Sequence, residues 1–289
     1  MNSRELSLGG LRVSGLRDGF FSLDGGAMFG VVPKALWSRS FPADERNRIT
    51  LGLNSFLVRG GGMTVLIETG IGDRMPARLK ELYGLVREEG LVGALTGEGV
   101  RPEEVDLVVN THLHFDHCGG NTRRDEEGRV VPVYSRAEYV VQRGEWEDAL
   151  EPNDRDKSSY LPDNYLPLER DGRLRLVEGE TRIAPGITVL PAPGHTRGHQ
   201  AVKVEGGGRA LFIMGDMVPT AAHVRTSYVM SYDLFPLETM RQKKRFYEQG
   251  LAEGWIFGFM HDPEHFFGRV EKREGKYAFR PQVIEPTAG

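Results

Sequence analysis

His112 and His114 stand two residues apart, just after residues 105–110 (Val-Asp-Leu-Val-Val-Asn), a run with the make-up of a short buried strand. In extended chain, residues two apart project to the same side, so both imidazoles face one way. Asp116 and His117 follow as the backbone turns off the strand. One tetrahedral ion rarely takes so many ligands from adjacent positions, because they must spread over a tetrahedron. Two ions use them better. In that division His112 and His114 serve one metal, and Asp116 and His117 serve a neighbour roughly 3.5 to 4 Å away, as in two-metal hydrolases.

Three further donors also sit where a strand-like run ends in a loop. His195 follows Val189-Leu190, Asp216 follows residues 211–214, and His261 follows residues 255–260. Any one of these alone reads as an ordinary surface or core residue. Five of the eight histidines, with Asp116 and Asp216, on four separate strand ends read as a metal centre.

Composition narrows the alternatives. The single cysteine, Cys118, excludes an internal disulfide and any multi-cysteine zinc site, and it reads as a small buried thiol. With 37 basic against 41 acidic side chains, net charge −4, and no basic patch, a nucleic-acid partner is not expected. No apolar run approaches the roughly 20 residues that cross a bilayer, and residues 1–10 have no leader-like apolar stretch, so a soluble, cytoplasmic protein without a membrane partner is expected. The 37 glycines predict many tight turns between short elements.

Those elements must place the donors. Residues 51–58 and 63–68 predict a hairpin around Arg59-Gly60-Gly61-Gly62. The spacing of Met75, Leu79, Leu82, Leu85 and Val86 predicts a helix over 73–89. A strand over 130–134 and a helix over 136–150 follow, with Ser135 as cap and Glu138 completing a capping box. Residues 151–168 have no period and are long enough to act as a lid. Strands over 174–177, 187–190, 201–205 and 210–214, a helix over 236–250 and a strand over 255–260 complete the pattern. The order predicts two similar halves, each a sheet with helices outside, and no linker divides residues 1–289 into separate domains.

The run His-x-His-x-Asp-His at His112, His114, Asp116 and His117, with the later His195, Asp216 and His261, resembles the hallmark of the metallo-β-lactamase superfamily. The resemblance implies an α+β fold, a four-layer αβ/βα sandwich. It implies that His112, His114 and His195 hold one metal, that Asp116, His117 and His261 hold a second, and that Asp216 bridges them. Within the superfamily the chain is similar to the quorum-quenching N-acyl homoserine lactone lactonase branch through Asn54, Glu68-Thr69-Gly70, residues 111–120, the stretch from Gly194 to Gln200, and His261-Asp262. That branch implies a lactone or ester substrate and a homodimer. Two positions depart from it. Glu68 replaces the usual Asp of its turn, and Pro219 stands where the lactonase tyrosine is expected. Substrate contacts are then expected from His223, Tyr228 or Tyr232.

The expected activity is a hydrolase with two divalent ions, zinc first and Mn, Fe or Co as alternatives, that opens lactones or cleaves related esters through a metal-bridging hydroxide. Asp116 is expected to orient that hydroxide and pass its proton to the leaving oxygen. A thioester hydrolase of the glyoxalase II kind or a phosphotriesterase would use the same metals, and a silent, metal-stabilised binding protein is the non-enzymatic alternative. His199 reads as a hydrogen-bonding support for the site rather than a ligand. Phe20, Phe21, Phe29, Trp37 and Phe41 read as core in preference to the wall of an acyl pocket.

Overall fold

A computed structural model describes residues 4–282. Strands Glu5–Leu8, Leu11–Asp24, Arg48–Gly60, Met63–Ile67, Leu107–Val109, Glu138–Gln142 and Leu174–Val177 lie side by side in that order as a 7-stranded sheet. The first four pair antiparallel, the rest parallel. A second 7-stranded sheet follows in chain order, from Thr181–Ala184 through Ile187–Pro191, Gln200–Gly206, Arg209–Ile213, Ile256–Gly258 and Phe267–Arg273 to Lys276–Pro281. The long helix Pro236–Glu253 makes the one parallel crossover in this sheet, between Arg209–Ile213 and Ile256–Gly258.

Side-chain alternation builds the layers. Phe56, Val58, Val65, Ile67, Val109 and Val140 point from the first sheet into a shared core, where they meet Val189, Val202, Val204, Leu211 and Ile213 of the second. Their neighbours Leu57, Leu66, Val108, Tyr139 and Val141 point the opposite way, onto Leu91, Leu95, Trp146 and Leu168. On the far side Phe212, Met214 and Phe257 pack against Phe246 and Tyr247 of the long helix. Strands buried on both faces give helix, sheet, sheet, helix, the expected four-layer α+β sandwich. Truncating one central residue, such as Leu211→Ala, would cost about 2–5 kcal/mol in lost burial and cavity.

Two expected helices are shorter than their patterns. Over 73–89 only Ala77–Leu82 is helical, and a further helix forms at Gly90–Gly97. Gly84 turns with φ 52°, and Val86 exchanges two backbone hydrogen bonds with Phe20, each 2.8 Å, so strand pairing overrides helical spacing. Over 136–150, residues Glu138–Gln142 form a strand and only Arg143–Leu150 a helix. Tyr139, Val140 and Val141 are fully buried by sheet pairing, and the predicted cap at Ser135 is not used. Strand Leu11–Asp24 has no counterpart in the sequence-based expectations, because Gly15, Arg17 and Gly19 obscure its alternation and a bulge falls between Arg17 and Gly19. The lid-like stretch is compact rather than structureless, with a 3-10 turn at Pro162–Asn164 and a helix at Leu166–Arg170. No helix among the described residues is long and apolar enough to cross a membrane.

Candidate metal centre

Strand ends deliver the donors to one rim of the sandwich. Leu107–Val109 leads into His112 and His114, and the short helix Phe115–Cys118 carries Asp116 and His117. Ile187–Pro191 leads to His195, Arg209–Ile213 to Asp216, and Ile256–Gly258 to His261. All five histidines and Asp216 are buried, while Asp116 is slightly more open.

The donors fall into groups whose ligand atoms all lie within 4.8 Å of one another: His112, His114 and His195; Asp116, His117 and His261; and His112, His117 and Asp216. Nε2 of His195 is 3.1 Å from Nδ1 of His114, and Nε2 of His117 is 3.0 Å from Nε2 of His261. Asp216 joins the two sides. Its Oδ1 lies 3.3 Å from His117 Nε2 and 3.1 Å from His261 Nε2, and its Oδ2 lies 3.5 Å from His195 Nε2. Asp116 Oδ2 is 3.5 Å from His261 Nε2 and 3.8 Å from His117 Nε2. Metal–ligand bonds of roughly 2.0–2.1 Å at tetrahedral angles place donors about 3.3 Å apart, which these spacings match.

A second layer of contacts turns the rings inward. Nδ1 of His112 contacts Thr111 Oγ1 at 3.0 Å, Nδ1 of His195 contacts Asp233 Oδ1 at 3.1 Å, and Nδ1 of His261 contacts the Gly52 carbonyl at 2.9 Å. His117 Nδ1 lies 3.5 Å from Glu68 Oε1. Each contact leaves Nε2 free to face the centre, the arrangement by which metal-bound imidazoles are oriented. His112 Nε2 and Asp216 Oδ1 are buried with no hydrogen-bond partner among the described residues. Such orphaned acceptors are costly unless something binds them. Burial, reinforced by neighbouring imidazoles, holds His112 and His114 well below the usual histidine range, so both rings are neutral. Burial alone would raise Asp216, but His261 and His117 outweigh it and keep the carboxylate ionised. The donor set fits two divalent cations.

Further side chains hold this geometry. Glu145, fully buried on the helix Arg143–Leu150, accepts from the Leu113 amide at 2.9 Å, the Tyr160 hydroxyl at 3.0 Å and the Thr196 hydroxyl at 2.6 Å. It ties together the first ligand segment, the covering stretch and the His195 loop. Nothing in the sequence separates it from a solvent-facing helical glutamate. Glu68, at φ 66°, accepts from the Thr111 amide and the Asn110 side chain, so the longer side chain serves the turn where an Asp was expected. Asn54 donates to the Phe259 and Asp262 carbonyls on either side of His261. His199 is a support, as expected: its Nδ1 donates to the Ala192 carbonyl, and its Nε2 accepts from the Asp216 amide at 3.1 Å. Gly215 is required there. It has φ 55°, and a Cβ would lie 2.4 Å from His199 Nε2. Cys118 is buried, with Sγ donating to the Leu113 carbonyl at 3.2 Å.

A cleft with a cavity of about 190 Å³ opens over the centre, lined by His114, Asp116, His195, Asp216 and His261 at its floor. Tyr232 lines it, and so does Tyr83, which had been absorbed into the predicted helix. The other two expected contacts lie elsewhere. His223 is fully buried behind the cleft wall, with Nδ1 2.7 Å from Thr220 Oγ1, Nε2 2.9 Å from the Met28 carbonyl and its ring stacked 4.4 Å from Phe29. Tyr228 packs edge-on against Phe29 and is not among the lining residues. Both became packing residues because the loop after Asp216 folds back on the cluster of Phe21, Phe29, Trp37 and Phe41, four of the five aromatics read as core; Phe20 is only half-buried, with the Arg17 guanidinium 4.5 Å over its ring.

Residues 49–261 match the family model described as "Metallo-beta-lactamase superfamily". The chain belongs to that superfamily. An N-acyl homoserine lactonase of a Bacillus species is 32% identical over 122 residues, 42% of this chain and 41% of that protein, so the match spans about two fifths of the curated lactonases' length. An acyl-coenzyme A thioesterase, MBLAC2 of Gallus gallus, is 31% identical over 175 residues, 57% of each chain. Among solved structures, a probable metal-dependent hydrolase from Staphylococcus aureus superposes with TM-score 0.87 at 32% identity, covering 96% of this chain and 100% of that one. A dizinc quorum-quenching lactonase, AidC, shares the fold at TM-score 0.80 and 17% identity, covering 98% of each chain.

Proposed function

We propose that this chain is a dinuclear metal-dependent hydrolase that opens small lactones or cleaves related esters. The observation that carries the reading is Asp216, whose two oxygens face different histidine groups, so one carboxylate is set to bridge two ions. His112, His114 and His195 would hold one, and Asp116, His117 and His261 the other, zinc being the first choice for this His and carboxylate set. When bound, such ions lower the pKa of shared water toward neutrality and polarise a carbonyl oxygen.

The protein's own groups supply the rest. Asp116 lines the cleft beside the second donor group, placed to hold a proton at its carboxylate and return it to the leaving oxygen. Burial, with Tyr83, Asp24 and Asp116 nearby, pushes the Tyr232 hydroxyl up to about 12, so it stays protonated and donates to the substrate carbonyl. Tyr232 thereby takes the place of the tyrosine missing at Pro219. Leu23, Met28 and Met230 offer an apolar side for an acyl group. The cavity is below the roughly 300 Å³ typical of drug-sized pockets, which favours short acyl chains or chains that run out of the mouth.

The thioesterase relative supports a second reading, thioester cleavage at the same centre. Metal stoichiometry, combined with assays of acyl lactones, aryl esters, thioesters and phosphotriesters with and without chelator, decides. Two ions per chain and chelator-sensitive lactone or ester turnover are expected. Protein that carries two ions yet turns over none of these would instead be the silent binding protein.

A further inference from the structure

Ala221, Val224 and Tyr228 wall a second hollow, while Met230 and Tyr232, further along the same loop, line the metal cleft. The hollow encloses about 330 Å³ between the turn after helix Lys34–Trp37, the 3-10 turn Ala221–Val224 and the last strand, Lys276–Pro281. It shares no lining residue with the cleft. Its walls are fixed in advance. The Ser40 and Phe41 amides donate to the Trp37 carbonyl at 3.0 and 3.1 Å, and the Ala221 amide donates to Asp262 Oδ2 at 2.9 Å. A hollow held this way loses little freedom when something enters it.

The lining carries one kind of charge. Leu36, Val224, Ala278 and Phe279 offer apolar surface, and the two charged residues are both arginines, Arg39 and Arg225. Among the described residues neither meets a carboxylate. Arg225 lies beside the Tyr228 ring, 5.4 Å from its centroid, and its Nη1 reaches the Tyr228 hydroxyl at 3.4 Å. By contrast, the exposed arginines Arg12, Arg101, Arg129, Arg143 and Arg197 are each paired with an acidic side chain. A guanidinium fork matches a carboxylate in two parallel bonds, and an apolar wall suits the body that carries the acid. An adjoining hollow that shares Ser40, Ala221, Ala222 and Phe279 is lined by Asp262 and Glu264. Those carboxylates repel a second negative charge, so a monoanion suits the place better than a dianionic phosphate.

We propose that this hollow is a binding site, separate from the metal centre, for a small amphipathic carboxylate whose acid group is held by Arg39 and Arg225 and whose apolar body lies against Val224 and Phe279. The assignment goes beyond the hydrolase reading and stands whether or not the chain is a hydrolase.

The probe is octanoate, with octanamide and octyl phosphate as controls, titrated into zinc-loaded protein isotope-labelled at its alanine and methionine methyl groups and followed by NMR. Ala221, Ala222 and Ala278 report on the hollow, and Met28 and Met230 on the cleft, where a carboxylate could also meet the metals. Octanoate is expected to shift the alanine signals with a dissociation constant about tenfold below that of octanamide, because the charged acceptor makes the stronger bonds. Replacing both arginines, Arg39→Gln with Arg225→Gln, should weaken octanoate at the alanines by about tenfold and leave the response of the methionines unchanged. Both side chains are exposed, so the double variant keeps its core. Alanine signals that ignore octanoate, equal binding of octanamide, tighter binding of octyl phosphate, or a double variant that binds as well as wild type overturns the assignment. So do alanine shifts produced by raising the protein concentration alone, which would give the hollow to a second copy of the chain.

Discussion

Asp233 Oδ1 lies 3.1 Å from Nδ1 of His195, so a buried carboxylate fixes the orientation of an imidazole whose Nε2 faces Asp216. Partners of this kind set the tautomer and strengthen the ligand. Asp233→Asn should weaken binding of one of the two ions by roughly 10- to 100-fold. Competition with a chromophoric chelator would show it as one tight and one weakened site, whereas two unchanged sites would count against the role given to Asp233.

Glu145 predicts a stability effect at a distance from the ions. Glu145→Ala removes the acceptor for three donors, and each donor left unsatisfied costs about 1–3 kcal/mol. A marked fall in the urea midpoint is expected. Glu145→Gln keeps one acceptor oxygen and should fall by less. Equal melting of both variants and wild type would contradict the hub assigned to this residue.

Tyr232→Phe keeps the ring against the cleft and removes the hydroxyl. A drop in kcat of about tenfold with little change in KM is expected if the hydroxyl acts mainly as the bond is broken. Tyr228→Phe, behind the wall, should leave both constants near wild type.

Lys243 predicts a pH dependence. Fully buried, its Nζ donates to the His223 and Tyr228 carbonyls, and burial pulls it to about 7 from an ordinary 10.5, against the opposing pull of Asp233. Two carbonyls suit a neutral amine, which has two N–H groups to give. Between about pH 7 and 10.5 the unfolded chain holds a proton here that the folded chain does not, so stability should rise with pH across that window. Lys243→Met should lack this rise, and unfolding midpoints of both proteins at pH 7 and pH 9.5 would reveal it.

Prolonged chelation should lower the melting temperature, since ions bound only by the folded state stabilise it by mass action. Restoring zinc should recover it. Unchanged melting after both ions are shown to be gone would mean that the donors are held without them.

Much of the site could be read from residue order because each ligand ends a strand-like run, and strand ends converge on one rim of a sandwich. His112, His114, Asp116, His117, His195, Asp216 and His261 were all found that way, and the structure brings them together. Alternating apolar runs likewise indicated both sheets. The hidden parts depend on contacts between distant segments. Glu145 and Asp233 act through partners 32 and 38 residues away. Val86 left its helical pattern to pair with Phe20, which carried Tyr83 into the cleft. His223 stood on the expected loop, but only the packing against Phe29 decides which way that loop turns.

The ligands are divided between the sheets: His112, His114, Asp116 and His117 follow a strand of the first, while His195, Asp216 and His261 follow strands of the second. Neither half owns a complete cage. On the proposed reading, capture of two cations would have to wait until both halves have docked, which would make metal uptake a late step of assembly and the ions rivets across the seam. A polypeptide that stalled with its halves apart would be exposed by its inability to retain them.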